Sequence, residues 1–235
     1  MDISMLGTIF SLAWPTMLEQ AAQTAVQYAD VAMVGTLGTA ATAAVGSTST
    51  VNWLIGSTVS AVGVGFLSYI SQACGAGDED RARRACAQAV SVTCYLGLLL
   101  TAVCIALSPV VPAWMQVDSV IRPLASRYFM ILYAPMLFRA ASIILGTVLR
   151  SVGDTRTPMR AGLMMNVVNV VFNFLLIYPT RKMTLLGVSL TMPGAGLGVE
   201  GAAAASAFSY ICGGIAIAVA VWRHPVLSPR GLKFS

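Results

Sequence analysis

The sequence predicts an all-α integral membrane protein, a bundle of six transmembrane helices. Of the 235 residues, 57% are hydrophobic and only 10% are charged, whereas a typical soluble domain has about 25% charged residues. A membrane-spanning helix needs about 20 mostly apolar residues. Six such stretches follow one another, at about 8–34, 43–72, 87–107, 123–149, 159–178 and 198–222. We therefore predict a transmembrane bundle over residues 1–222 and a cytoplasmic linker or tail over 223–235.

The basic residues indicate how the bundle is oriented. Nine of the 14 Lys and Arg residues lie in the connections 73–86 and 150–160 and in the tail, which all fall on the same side of the predicted bundle. Because cytoplasmic loops are enriched in Lys and Arg, we expect both termini in the cytoplasm and a multi-pass protein in the plasma (bacterial inner) membrane. The net charge of +5 is scattered between apolar segments, so it does not indicate nucleic-acid binding.

The sequence lacks the patterns of an enzyme or a metal site. Its single histidine, His224, lies in the tail, and no serine or cysteine has a candidate base nearby. The five cysteines are an odd number without a CxxC pair, which favours neither a disulfide framework nor a zinc site. We expect no catalytic residues and no cofactor.

Polar residues occupy one face of the first predicted helix. They follow one another at steps of three or four, which places them on a single face: Thr16, Gln20, Gln23, Gln27 and Asp30. A carboxylate in hydrocarbon is costly and normally faces a bundle interior or a wet cavity. Asp30 is thus a functional candidate, although a solvated acid at the outer interface is the alternative. Glu19 lies at the edge of this face, where a structural and a functional role are equally compatible with the pattern.

The fifth predicted helix has a similar face, formed by Asn166, Asn169 and Asn173. The three amides form hydrogen bonds between helices, each worth about 1 kcal/mol, or they supply neutral oxygen ligands and N–H donors around a carboxylate. Both interpretations place them in the bundle interior. We predict that Asn166, together with Gln20, Gln23 and Gln27, lines a cavity.

Three further features lie in or between the apolar stretches. Pro15 removes a backbone hydrogen bond inside the first helix, so we expect a kink there. Arg139, in the fourth stretch, is expected to pair with a neighbour or to extend toward the membrane surface rather than to bind substrate. The connection 179–197 is rich in proline and glycine, which predicts an irregular external loop.

Five segments, in order along nearly the whole chain, resemble the amino-terminal half of the multidrug and toxic compound extrusion (MATE) transporters. The first contains the proline, the acid and the following VGxLG pattern. The segments are WPTMLEQAAQTAVQYADVAMVGTLGTAATAAVG (14–46), SQACGAGDEDRAR (71–83), LRSVGDTRTPM (149–159), NVVNVVFNFLLIY (166–178) and LGVEGAAAASAFS (197–209).

This resemblance implies one six-helix lobe of a twelve-helix transporter. It implies a cation-coupled antiporter, driven by Na⁺ or H⁺, that exports drug-like and often cationic amphipathic compounds. Asp30, Asn169 and Asn173 match the positions that bind or exchange the coupling ion, and Pro15 matches a proposed hinge. Many members have an aspartate where this chain has Asn173, which leaves the identity of the coupling ion open.

The resemblance also implies a second lobe, either a carboxy-terminal half or a second copy of this chain. Two alternatives remain. A lipid or oligosaccharide flippase of the same superfamily would favour a more basic cavity than these Gln- and Asn-rich faces. A non-transporting membrane domain would serve only in interaction.

Overall fold

A computed structural model of the chain describes residues 3–185 and 188–228 as a bundle of α-helices with one β-hairpin. The predicted helical membrane bundle is confirmed. The elements, in chain order, are α1 (Ile3–Gly35), α2 (Thr39–Gly75), α3 (Glu79–Leu107), α4 (Val111–Trp114), α5 (Arg122–Tyr133), α6 (Met136–Ser151), α7 (Arg156–Leu176), β1 (Pro179–Leu185), β2 (Val188–Ala195) and α8 (Gly198–Arg223).

Most of the long helices are able to span a membrane. Within the described residues, α2, α3, α7 and α8 are long and apolar enough to cross a bilayer, and the bent pair α5 and α6 counts as a fifth span. The 33-residue helix α1 is long enough, but its polar side chains lower its mean hydropathy and it is not among these spans. The sixth span therefore stays a prediction.

The prediction of one continuous helix over 123–149 is wrong. The structure breaks this stretch between Tyr133 and Met136, and α5 and α6 meet at an angle of 49°. Pro135 has no N–H to donate to the preceding turn, and its ring clashes with a helical backbone. Its carbonyl instead accepts hydrogen bonds from the N–H groups of Phe138 and Arg139 at the start of α6.

The prediction of an irregular loop over 179–197 is also wrong. Strands β1 and β2 pair antiparallel in a register from Pro179 opposite Ala195 to Leu185 opposite Val188. The glycine at position 194 permits this pairing, because a Cβ there would lie 2.1 Å from the Tyr178 carbonyl oxygen. Proline is tolerated at the edge of such a small sheet.

Two connections on the predicted cytoplasmic side share a Gly-Asp turn. Gly77 and Gly153 have φ values of 74° and 84°, which only glycine adopts at little cost. The following Asp78 accepts a hydrogen bond from the Arg81 N–H at 2.9 Å, which caps α3. Asp154 accepts a backbone N–H from the first turn of α7 in the same way. Both connections are thus short turns in which an aspartate caps the following helix.

Helix α6 lies at the centre of the bundle, because it packs against α2, α3 and α8. Ten of its 16 residues are buried. Gly214 of α8 allows close approach, since a Cβ there would lie 2.4 Å from the Phe138 carbonyl oxygen. Helix α1, by contrast, packs mainly against α7. The central position of α6 is what places Arg139 in the interior.

Candidate functional site

The structure brings Asp30, Asn169 and Asn173 together where α1 packs against α7. The Asn173 side-chain amide donates a hydrogen bond to Asp30 Oδ1, and it also lies 3.1 Å from Asn169 Oδ1. Asn169 is 6% exposed and Asn173 is 1% exposed, so both are buried, while Asp30 is half-buried. The spacing of these residues on two helices thus corresponds to a real cluster in space.

Asn169 connects this cluster to a third helix, α8. Of the two orientations of its amide, the one with the nitrogen toward Asp30 fits the surrounding atoms better, because the other places the amide oxygen against the Asp30 carboxylate. With the nitrogen toward Asp30, the amide donates to Asp30 Oδ1 at 2.9 Å and its oxygen accepts from Ser206 Oγ at 3.1 Å. In the opposite orientation, the oxygen accepts from Asn173 and the nitrogen donates to Ser206. In either case, Asn169 is held by polar contacts.

The cluster brings a carboxylate and amide groups together without a described cation. No described basic residue forms an ion pair with Asp30, so its negative charge is balanced only by amide donors. Asn173 Oδ1 is buried and has no hydrogen-bond partner within residues 3–185 and 188–228. Carboxylate and amide oxygens are hard ligands suited to small cations, and acids within transmembrane segments commonly belong to ion pathways or proton relays.

The predicted cavity-lining residues lie on the walls of two adjoining cavities. The first, of about 820 Å³, is lined by Gln20, Gln23 and Gln27 of α1 together with polar residues of α2. The second, of about 310 Å³, extends to α7 and includes Asn166, whose Nδ2 is buried and has no partner in the described chain. Both volumes lie in or near the range of small-molecule sites, about 300–1,000 Å³.

Arg139 is the functional candidate that sequence reasoning missed. It is only 9% exposed and lines both cavities, so it does not extend to the membrane surface. Its Nη1 donates to Asn52 Oδ1 at 2.6 Å, and it lies over the rings of Tyr133 and Tyr210. A weak signal exists in the sequence, because Arg139, Ser142 and Arg150 share one helical face.

Glu19 forms an ion pair with Arg150. Its Oε2 accepts a hydrogen bond from Arg150 Nη2 at 2.7 Å, and the two side chains are only 17% and 23% exposed. This contact ties α1 to the end of α6. Glu19 also lies close to α7, since a Cβ on Gly162 would be 3.0 Å from its carboxylate. The structure thus gives Glu19 a structural partner.

Pro15 lies one turn before Glu19 and is buried. Helix α1 continues from Ile3 to Gly35 as a single element that contains this proline. The backbone hydrogen bond that Pro15 lacks is a local weakness of the helix. Whether it serves as a hinge stays a prediction.

A helical membrane bundle with a polar cavity and an acid in contact with amides agrees with the class of membrane transporters. The family model MatE matches residues 15–175. The chain therefore belongs to the MatE family of membrane transporters, which are multi-pass proteins and not enzymes.

Individual relatives agree with this assignment. The chain is 24% identical over 180 residues to a probable multidrug resistance protein NorM of Thermotoga maritima. The aligned region covers 77% of the chain and 39% of the relative. A probable NorM of Geobacillus kaustophilus is 28% identical over 174 residues, covering 72% of the chain and 37% of that protein. The crystal structure of a MATE transporter in complex with MaD3S superimposes with a TM-score of 0.84 at 26% identity, covering 97% of this chain and 49% of the other.

The chain spans about half the length of this solved structure and less than half of the relatives. This coverage agrees with a single lobe of a two-lobe transporter.

Proposed function

We propose that the chain forms the amino-terminal lobe of a cation-coupled antiporter that exports drug-like, often cationic, amphipathic compounds. The observation that supports it best is the hydrogen bond from Asn173 of α7 to Asp30 of α1. It joins an acid that has no basic partner among the described residues to buried amides, and carboxylate and amide oxygens are suitable ligands for a small cation. The names of the NorM relatives add support for multidrug efflux.

In this proposal, Asp30 binds either a proton or Na⁺, with Asn169 and Asn173 as neighbouring ligands. Binding neutralises the carboxylate and weakens its attraction for the amide donors. The contact between α1 and α7 then changes, and α1 bends at Pro15 to repack against the bundle. Drug affinity changes with the occupancy of the ion site, and the reverse holds equally, because coupling between two sites is reciprocal.

The proposed location is the plasma (bacterial inner) membrane, with both termini in the cytoplasm. The basic connections on one side of the bundle support this orientation. A second lobe completes the drug cavity, either as the carboxy-terminal half of a longer polypeptide or as a second copy of this chain. Lobes that share one topology pair about an axis normal to the membrane.

The decisive experiment is Asp30→Asn in the whole polypeptide that contains this chain. Because asparagine neither ionises nor exchanges protons, we expect ion-driven dye efflux from proteoliposomes to be abolished. Asp80→Asn is the matched control, since Asp80 is an exposed acid in the first turn of α3, and it should retain normal efflux. Normal ion-driven efflux by Asp30→Asn would disprove the proposal.

Arg139 favours a second candidate, the lipid or oligosaccharide flippase. It places a positive charge on the cavity wall, as an anionic lipid headgroup would require. Translocation of a lipid-linked sugar by the reconstituted protein, in the absence of dye efflux, would establish this alternative. Residues 1–235 reconstituted alone, with neither activity, would indicate a domain that needs its partner lobe or serves only in interaction.

A further inference from the structure

Within the described residues, the cavity wall contains one buried positive charge that has no negative partner, that of Arg139. Arg139 is in neither of the two ion pairs found in the described chain. The other charged residues that line the second cavity, Glu19 and Arg150, neutralise each other. Among the described residues that line the first cavity, Arg139 is the one charged side chain. An unbalanced charge is strongly disfavoured in a medium of low dielectric constant.

Neutral neighbours hold the guanidinium in a fixed position. Asn52 Oδ1 accepts from Arg139 Nη1 at 2.6 Å and from Tyr133 Oη at 2.9 Å. The Tyr133 and Tyr210 rings lie 5.7 and 5.1 Å from the guanidinium carbon. Aromatic faces stabilise a cation, but they supply no formal charge to neutralise it. The arrangement orients Arg139 and leaves its charge available to a ligand.

The guanidinium is also accessible from the cavity. Arg139 lines both cavities, which share Gln20, Gln23, Gly56 and Ser60 as further lining residues. Its Nη2 lies beside Gly56, where a Cβ would be only 3.5 Å away. Because glycine has no side chain, this part of α2 leaves open space next to the guanidinium. A ligand in the cavity therefore has access to Arg139.

We propose that Arg139 is an anion subsite of the cavity and binds the carboxylate of an amphipathic aromatic substrate. A single guanidinium matches the charge and planar shape of one carboxylate, whereas a diphosphate would need further unpaired cations, and the other cation on the described wall, Arg150, is paired with Glu19. Trp53 follows Asn52, lines the same cavity and is 75% exposed, so it offers an aromatic surface for the rest of the molecule.

This inference deepens the proposed function by naming the residue that recognises one chemical group of the substrate, and it rests on that function for its biological role. It assigns to Arg139 the recognition of the carboxylate in substrates that contain one, including zwitterions. The other possible role of Arg139 is purely structural, as a tie between α2, α5, α6 and α8. The two roles differ in whether the charge of Arg139 matters for ligand binding.

The test uses two matched fluorescent probes, pyrenebutyrate and pyrenebutyl-trimethylammonium. Each is titrated at neutral pH against the whole purified polypeptide in detergent, with protein-free micelles as the blank. Two variants remove the free charge in different ways. Arg139→Met deletes the guanidinium, and Asn52→Asp keeps it but places a carboxylate on the atom that contacts Nη1. Arg127→Met is the control, because Arg127 is 69% exposed and pairs with Glu200.

We expect both Arg139→Met and Asn52→Asp to weaken pyrenebutyrate binding at least about tenfold, or about 1.4 kcal/mol. Neither variant should weaken binding of the ammonium probe, and Arg127→Met should leave both affinities unchanged. If Asn52→Asp binds pyrenebutyrate as the unaltered protein does, or if Arg139→Met weakens both probes equally, the anion subsite is refuted. Asn52→Asp decides the question even if Arg139→Met fails to fold.

Binding in micelles requires no ion gradient. A negative result would therefore remove the anion subsite and leave the coupled transport to be decided by Asp30→Asn. Conversely, a positive result would stand even if the efflux experiment failed.

Discussion

Replacing Glu19 by glutamine removes the negative charge that pairs with Arg150 and keeps the shape of the side chain. Glu19 Oε2 lies 2.7 Å from Arg150 Nη2, and the side chains of Glu19 and Arg150 are 17% and 23% exposed. Losing one partner of a fully buried pair costs about 3–5 kcal/mol, while an exposed pair contributes about 0–1 kcal/mol. Because this pair is mostly but incompletely buried, we expect Glu19→Gln to destabilise the lobe by about 2 kcal/mol.

A double-mutant cycle isolates this interaction from other effects of the substitutions. The cycle compares Glu19→Gln, Arg150→Met and the double variant by SDS-induced unfolding of the purified protein in mixed micelles. If the pair is responsible, the two single losses will not add, and the coupling energy will be about 2 kcal/mol. A coupling energy below about 0.5 kcal/mol would refute the conclusion that this contact ties α1 to α6.

Three further predictions concern packing, ion binding and bending. Gly214→Ala should destabilise the bundle by about 1–3 kcal/mol, because its Cβ would meet the Phe138 carbonyl oxygen at 2.4 Å; Gly65→Ala, with no atom within 4 Å, is the control in the same unfolding assay. Asn173→Asp should lower the Na⁺ concentration for half-maximal efflux about tenfold, since affinity rises with ligand charge. Pro15→Ala should slow ion-driven efflux, because it restores the backbone donor that α1 lacks.

Each of these has an outcome that would contradict it. Equal unfolding midpoints for Gly214→Ala and Gly65→Ala would show that α6 and α8 are less closely packed than described. An unchanged or higher half-maximal Na⁺ concentration in Asn173→Asp would argue against a Na⁺ site at Asp30. Full efflux rates in Pro15→Ala would remove the proposed hinge.

Local periodicity was sufficient to predict much of the candidate site. Steps of three and four along α1 place Gln20, Gln23 and Gln27 on one face, and the structure places all three on the cavity wall. The same reasoning groups Asn169 with Asn173. Such grouping is possible from the sequence because the face of a regular helix depends only on residue spacing. That Asp30 contacts Asn173, 143 positions away, came instead from the family resemblance.

The features that were missed depend on long-range contacts or on departures from regular geometry. Arg139 contacts Asn52, which is 87 positions away, and no local pattern specifies that pair. The break before α6 depends on Pro135, which a hydropathy profile does not detect. The pairing of β1 with β2 places Gly194 against the Tyr178 carbonyl, whereas composition alone suggested a loop.

The packing of α1 has a consequence for how this helix can move. Its polar attachments to the remaining bundle include Glu19 with Arg150 and Asp30 with Asn173. Asp30 lies eleven positions after Glu19, which is about 16 Å along a helix axis. Under the proposed coupling, neutralising Asp30 releases only its own contact, while the Glu19–Arg150 pair and, just after α1, the hydrogen bond between Thr36 and Tyr178 stay in place. The expected displacement is therefore a local one around Asp30, between two held ends, rather than a uniform shift of the whole helix.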